Sequence, residues 1–302
     1  MKFTIIGVGG LGGFFGARLA AAGHDVSFLA RGEHLTAVRE RGLTVLGPGG
    51  EATTLRVHAT GDPAELGPAD VVLPAVKTWQ LDDAVAALPM GADTAVITLQ
   101  NGVDAPAQVA RTLGEAAVLP GVAKVIAALA GPGTIRHVGG PGSLDFAEWD
   151  NRPSERVARI RAAFGAAGIP TTPPADIWAE LWAKFLFIAP VGGLGAVTGA
   201  PFGELRGHPE TRRTLQAAMA EIERLARASG VELPAGVVAG TMAFVDRQPA
   251  EGTTSLQRDI AAGRPSELDA WTGSVVRLGR ETGIPTPVND VLYAVLRLRA
   301  DR

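Results

Sequence analysis

Cysteine is absent from the 302 residues and tyrosine occurs once. No disulfide framework, thiolate metal site, iron–sulfur cluster or thiol nucleophile can be built from such a chain. A surplus of one charge is missing too. The 28 basic and 31 acidic residues leave a net charge of -3, with the basic residues dispersed, which excludes the electrostatic footprint of a nucleic-acid partner. The histidines, at 24, 34, 58, 137 and 208, show no ligand-like i, i+4 pairing, so no metal site is expected. No GxSxG turn points to a serine hydrolase.

Long uninterrupted apolar runs are lacking as well. The first 23 residues imitate a secretory leader, with Lys2, an apolar run and Ala20-Ala21-Ala22, but six glycines between positions 7 and 16 spoil the helix that a leader core forms. From Phe185 to Gly203 there are 19 residues without a charge, yet Pro190, Pro201 and five glycines interrupt them. A buried helix followed by a loop is expected there rather than a membrane span. These readings point to a cytoplasmic protein with no membrane partner.

Glycine is what the chain has in excess: 39 residues, about 13%, against a usual ~7%. With 46% hydrophobic residues the chain has ample material for a packed core. It opens on a short apolar strand, Phe3 to Ile6, then Gly7-Val8-Gly9-Gly10-Leu11-Gly12, a helical pattern ending at Gly23, and a second strand, Val26 to Leu29. That is the order and size of a βαβ unit. The alternation continues: helix Glu33 to Arg41, a hairpin around Pro48-Gly49-Gly50, strand Val71 to Val76, helix Leu81 to Leu88, strand Ala95 to Leu99 and helix Ala105 to Leu113. It predicts a parallel sheet covered on both faces.

From Val122 the pattern predicts strands with bends at Gly131-Pro132-Gly133 and at Gly139-Gly140-Pro141-Gly142, then a helix from Ser154 to Ala167 and a short strand near Ile169. Beyond Pro173-Pro174 nearly everything reads as helix: 175–190, 208–229, 235–246, 266–282 and a last helix after Pro287. The fold class expected is α/β, an N-terminal Rossmann-type parallel-sheet domain over 1–174 followed by an all-helical C-terminal domain over 175–302.

In a chain so rich in glycine, the bare GxGxxG spacing arises by chance ~0.7 times. Its position carries the information. Gly7, Gly9 and Gly12 are the one match and lie between strand and helix, where Gly7 suits the tight turn, Gly9 lets backbone approach a pyrophosphate, and Gly12 allows close helix packing. The helix start at Gly10 and Leu11 contributes aligned amides and a partial positive charge. The second strand ends at Ala30-Arg31 with no carboxylate before Glu33. An NAD site usually has an acidic residue there, whereas a guanidinium pairs with a 2′-phosphate, so NADPH/NADP+ is the expected cofactor. A solvated loop charge is the alternative for Arg31.

In the second half, Lys184 is the one cation inside the apolar run Trp178 to Ile188. Burial disfavours an ammonium, and a lysine tuned toward neutrality suits proton donation to an oxygen gaining charge. A lysine stem on the core with its head in solvent is the bland alternative.

The glycine turn, Arg31, Val76-Lys77-Thr78-Trp79-Gln80, Gln100-Asn101-Gly102, Ala179 to Lys184, Ser255-Leu256-Gln257-Arg258-Asp259-Ile260 and Ser266-Glu267-Leu268-Asp269 resemble the ketopantoate reductase family in order and spacing. The resemblance implies NADPH-dependent reduction of 2-dehydropantoate to its 2-hydroxy acid, in pantothenate biosynthesis, at an interdomain active site. It implies Lys184 as the general acid, Glu267 as the glutamate that binds substrate and supports the lysine's charge, Asn101 beside nicotinamide and substrate, Lys77 at the cofactor's edge, and Ser255 on the substrate carboxylate. On residue type alone, Asn101 also fits a turn and Glu267 a helix start after Ser266.

The family commonly carries asparagines four and eight positions beyond the lysine and a third further on; here Ile188, Gly192 and Phe202 stand in those places. Ile188 and Gly192 in the substrate site imply a more apolar or bulkier oxo substrate. An imine or larger ketone substrate, and a non-catalytic NADP-sensing protein, are the competing readings. A small-molecule substrate is the expected partner, with a homodimer possible through apolar helices of the second half.

Overall fold

The computed structural model describes residues 1–300, which form two compact units: residues 1–100 with 105–177, and Asn101–Asp104 with the chain from Trp178 onward. The first contains β1 (Lys2–Ile6), α1 (Gly10–Ala21), β2 (Asp25–Leu29), α2 (Gly32–Arg41), β3 (Leu43–Leu46), β4 (Ala52–Leu55), β5 (His58–Thr60), β6 (Val71–Pro74), α3 (Leu81–Ala86), β7 (Ala95–Ile97), α4 (Ala105–Leu113), β8 (Val118–Leu119), β9 (Gly121–Gly131), β10 (Thr134–Phe146) and α5 (Glu155–Ala166).

Six strands form one sheet in the order β5-β2-β1-β6-β7-β8, every pairing parallel. The chain builds outward from β1 on one side and from β6 on the other. The crevice at their carboxyl ends is therefore the topological switch point, where doubly wound sheets bind ligands. Both faces are buried, which is why the strands read as continuous apolar runs: Phe3, Ile5, Leu73 and Ile97 enter the core on one side, and Ile6, Leu29, Val72 and Val96 the core on the other.

A second sheet, β4-β3-β10-β9, is mostly antiparallel. The hairpin around Pro48-Gly50 joins β3 to β4, and Gly131-Pro132-Gly133 turns β9 into β10. Gly139 to Gly142 do not bend the chain into another strand. They form an irregular, bulged stretch inside β10, where Gly140 and Gly142 take positive φ and pairing with β9 resumes at Ser143. No strand forms at Ile169; one bond, Leu144 N–H to the Pro170 carbonyl at 3.0 Å, holds that segment to the end of β10.

The second unit is helical: α6 (Ile177–Thr198, which begins at the boundary), α7 (Phe202–Gly207), α8 (Pro209–Ala228), α9 (Val237–Asp246), α10 (Ser255–Ala261), α11 (Ser274–Thr282) and α12 (Pro287–Ala300). Helix α6 runs eight residues beyond the expected end at Pro190. Proline removes one backbone donor but leaves the following turns free to continue, and burial of Phe185, Leu186, Ala189, Val191 and Leu194 outweighs that loss. Length and composition would let α6 cross a membrane, but 72% of its most apolar window is buried inside the protein, the signature of a core helix. The expected helix over 266–282 begins only at Asp269, as a wide π-type turn through Gly273 that runs directly into α11.

Helix α8 packs Leu215, Ala218, Met219, Ile222, Leu225 and Ala226 inward at helical spacing. Its Glu221 is 2% exposed and accepts from the Val288 amide (2.8 Å), the Asn289 amide (3.1 Å) and Asn289 Nδ2 (2.6 Å), so a carboxylate buried on one helix caps the N-terminus of α12. Glu221→Ala strands those donors and should destabilise the helical unit by about 3 kcal/mol in urea unfolding. A loss below about 1 kcal/mol would contradict the capping role.

Candidate active site

Two groups of residues stand where the sequence placed chemistry, one in each unit. In the first, Gly7 follows β1 with φ of +88°, a left-handed conformation in which a side chain would be strained. Its amide donates to the Leu29 carbonyl at 2.9 Å, tying the turn to the end of β2. Helix α1 has Gly9 at its N-cap, with no side-chain cap and no acidic residue in its first turn, leaving the amides and partial positive charge of the helix start available to an anion.

The glycines differ in purpose. A Cβ on Gly12 would stand 2.0 Å from the Gly7 carbonyl and 2.8 Å from Ala75 Cβ, and one on Gly10 would stand 2.2 Å from the Ala127 carbonyl. These two let α1 press against the parallel sheet on one side and β9 on the other. A Cβ on Gly9 would meet nothing within 4 Å. Gly9 is thus the position where backbone faces open space and a diphosphate can approach it, and the cradle fits a dinucleotide. Leu11, partly buried, packs against the core.

Arg31 is exposed just beyond β2, at the N-cap of α2. The Ala30 amide bonds to the Thr60 carbonyl at 2.9 Å, fixing the backbone that carries it. Lys77 is half-buried after β6, its Nζ 6.0 Å from the centre of the Trp79 ring. Gln100, the residue before Asn101, is 6% exposed. Its Nε2 donates to the carbonyls of Pro74 (2.6 Å) and Val76 (3.0 Å), and its Oε1 accepts from the Leu99 amide (3.1 Å). It clamps the ends of β6 and β7 and so sets the loop that bears Lys77.

Asn101 belongs to the helical unit, in a four-residue excursion ending at Asp104. Gly102 takes φ of +103°, and a Cβ there would stand 2.8 Å from the Ala270 carbonyl. Asp104 accepts from the Ser274 hydroxyl and from Arg277 Nη2, the latter at 2.6 Å. Burial works against the Arg277 charge, but the hydrogen bond and charge of Asp104 prevail and raise its pKa above the ordinary value. Sequence reasoning missed this anchor, since its partners lie 170 residues apart and carry no local signal.

Lys184 is half-buried on α6, and Ile188, one turn on, is 8% exposed. Ser255 is the first residue of α10, behind the Thr254 cap, and Glu267 is 6% exposed ahead of the wide turn. Gly192 links them: a Cβ there would lie 2.7 Å from Trp271 Cζ3 and 3.4 Å from Leu256 Cδ2. Leu256 is the neighbour of Ser255, and Trp271 follows Glu267 by one turn, its amide bonded to the Glu267 carbonyl at 3.0 Å. The segments carrying Ser255 and Glu267 therefore converge on α6 two turns beyond Lys184. Phe202 is buried and stacks edge-on with Phe187 at 6.3 Å, part of the core. Among the described residues no cluster of histidine and acidic side chains could hold a metal.

A dinucleotide cradle at the switch point of a doubly wound sheet, with a helical unit that carries a lysine and a buried glutamate, defines a dinucleotide-binding oxidoreductase. Family models described as "Ketopantoate reductase PanE/ApbA" and "Ketopantoate reductase PanE/ApbA C terminal" match residues 3–151 and 176–300. The chain belongs to the ketopantoate reductase family, whose members are oxidoreductases acting on a CH–OH group.

The 2-dehydropantoate 2-reductase of Halobacterium salinarum is 33% identical over 300 residues, covering 99% of this chain and 98% of the relative. A crystal structure of a PanE/ApbA family ketopantoate reductase from Ralstonia eutropha JMP134 superposes with a TM-score of 0.92 at 34% identity, over 100% of this chain and 99% of that one. The fold is shared with a D-mandelate dehydrogenase solved with NADH and anilino(oxo)acetate, at a TM-score of 0.90 and 22% identity, over 100% and 99% of the two chains.

Proposed function

We propose that this protein reduces a 2-oxo acid to its 2-hydroxy acid with NADPH, with 2-dehydropantoate as the default substrate and pantothenate biosynthesis as the setting. The observation that carries this reading is the convergence at Gly192 of the segments bearing Ser255 and Glu267, on the helix that bears Lys184. When bound, the dinucleotide supplies the hydride. The chain's own part is to hold the carboxylate with Ser255 and to meet the alkoxide developing at the former carbonyl with the Lys184 ammonium, which gives up its proton to that oxygen. Glu267 supports the lysine's charge and binds substrate. Asn101 and Lys77 orient the nicotinamide and the cofactor's edge.

Arg31 in place of a carboxylate supports NADPH over NADH. Arg31→Ala removes a charge-assisted contact to the 2′-phosphate, so NADPH affinity should fall ~10–100-fold while NADH affinity changes little. Fluorescence titration of both dinucleotides checks this, and an equal loss for both would overturn the assignment. A second reading keeps the chemistry but favours a bulkier or more apolar ketone or imine, because Ile188 and Gly192 offer the substrate no side-chain hydrogen bonds. Comparing turnover of 2-dehydropantoate with apolar 2-oxo acids separates the two. A strong preference for 2-dehydropantoate would remove the second.

A further inference from the structure

Asn101 stands between two differently anchored stretches of chain. On one side Gln100 is held by carbonyls of the first unit, Pro74 at 2.6 Å and Val76 at 3.0 Å. On the other, the next three residues are held by the helical unit. Gly102, at φ of +103°, lets the backbone approach the Ala270 carbonyl more closely than any side chain would allow. Val103 is buried in the core of the helical unit. Asp104 stands directly before α4, where an aspartate ordinarily caps a helix by accepting from its first free amides. Its oxygens accept instead from the Ser274 hydroxyl and from Arg277 Nη2, partners 170 and 173 residues away. Ser274 is 1% exposed, so its hydroxyl is a donor fixed in the core, and Glu281 braces Arg277 with both carboxylate oxygens 3.1 Å from Nη1. An exposed ion pair alone would be a weak tether. Three neighbours engaged in a row, one of them buried, make a rigid one. Their partners Ala270, Ser274 and Arg277 all lie on the wide turn and α11, the stretch that begins just after Glu267. That stretch is tied back to the glutamate, whose carbonyl accepts from the Trp271 amide at 3.0 Å.

We propose that Asp104, with Ser274 and Arg277 as its partners, is a positioning residue for hydride transfer. It fixes Asn101 to the stretch that follows Glu267, so that the residue beside the nicotinamide and the glutamate that binds substrate are carried by one piece of the helical unit. Asp104 touches neither cofactor nor substrate in this role; it acts through Asn101. The inference rests on the 2-oxo acid reductase reading above and deepens it by naming what holds its site. Hydride transfer requires the reacting atoms in a near-attack arrangement, and a misplacement of about 1 Å costs about 10²-fold in rate. On the same reading the glycine cradle and Arg31 of the first unit hold the phosphate end of the dinucleotide, so loss of the anchor belongs in turnover and not in that affinity.

The test uses the full chain with NADPH and whichever of 2-dehydropantoate and apolar 2-oxo acids the wild type reduces best. It measures kcat, KM and the affinity for 2′-phospho-ADP-ribose, which lacks the nicotinamide, at a temperature well below Tm. Asp104→Ala should lower kcat by about tenfold or more with the affinity for 2′-phospho-ADP-ribose unchanged. Ser274→Ala, which removes one partner and serves if the aspartate variant folds poorly, should do the same to a smaller extent. Beside Asn101→Ala, Asp104→Ala should cost little more, because the residue it acts through is gone. Glu221→Ala, which loosens the same unit at α12, should leave kcat unchanged, whereas an Asp104 of merely structural value would behave like it. Unchanged kcat in both Asp104→Ala and Ser274→Ala, a loss that adds in full to that of Asn101→Ala, or an equal loss in Glu221→Ala would overturn the inference and leave the reductase reading standing. A wild-type protein that reduces neither 2-dehydropantoate nor any other 2-oxo acid would overturn both.

Discussion

Lys184→Ala should lower kcat by ~10²–10⁴-fold, the usual contribution of a positioned general acid, while NADPH binds with unchanged affinity. The expectation follows from charge. Hydride arrival leaves an alkoxide, and among the candidate residues of the second unit Lys184 is the one that carries both a positive charge and a transferable proton. The loss belongs in kcat because the contact strengthens as the oxygen gains charge, whereas loss of a uniform binding contact would appear in KM. Glu267→Gln, which keeps shape and removes charge, should produce a smaller loss with a displaced pH profile. Unchanged turnover in Lys184→Ala would refute the proton donor.

Gly12→Ala should damage the first unit severely, because its Cβ would stand 2.0 Å from the Gly7 carbonyl oxygen, with Ala75 Cβ at 2.8 Å and Ile5 Cγ2 at 3.0 Å. Neither a strand nor the start of α1 can yield without disturbing the turn. Overpacking of about 3 kcal/mol or more is expected, a fall of about 6–12 °C in Tm, together with loss of dinucleotide binding. Gly9→Ala is the informative contrast. With nothing within 4 Å of the added methyl, Tm should be unchanged while NADPH affinity falls, because the methyl stands where the diphosphate approaches. Differential scanning calorimetry paired with NADPH titration separates the two. Normal NADPH affinity in Gly9→Ala would show that the cradle serves α1 packing alone.

Much of this was legible in the sequence because local physics carried it. A parallel sheet buried on both faces forces apolar strands, amphipathic helices alternate with them, and glycine must stand where β1 turns into α1. Hence Gly7, Gly9, Gly12 and Arg31 are conspicuous in the sequence alone. What was not legible depends on contacts between distant segments. Gly139 to Gly142 look like a turn by composition, yet β9 supplies a partner on both sides of them and makes them a bulge. Pro190 looks like a helix end, yet the surrounding apolar side chains carry α6 on to Thr198. Asn101 to Asp104 show no composition shift, and only Ser274, Arg277 and Ala270 explain why four residues belong to the helical unit. The absence of a side chain at Gly192 was visible in the sequence as a missing amide. That an indole fills its place was not, because residue 271 lies 79 positions further on.

The most direct test of hydride transfer to a 2-oxo carbon follows the hydrogen itself. The protein is incubated with NADPH deuterated at both C4 positions and a 2-oxo acid, 2-dehydropantoate or an apolar analogue, and the product is analysed by mass spectrometry and NMR. The expected result is a 2-hydroxy acid carrying one deuterium at C2. Oxidation of NADPH with no deuterium in the product, or no 2-hydroxy acid from any member of the panel, would contradict it.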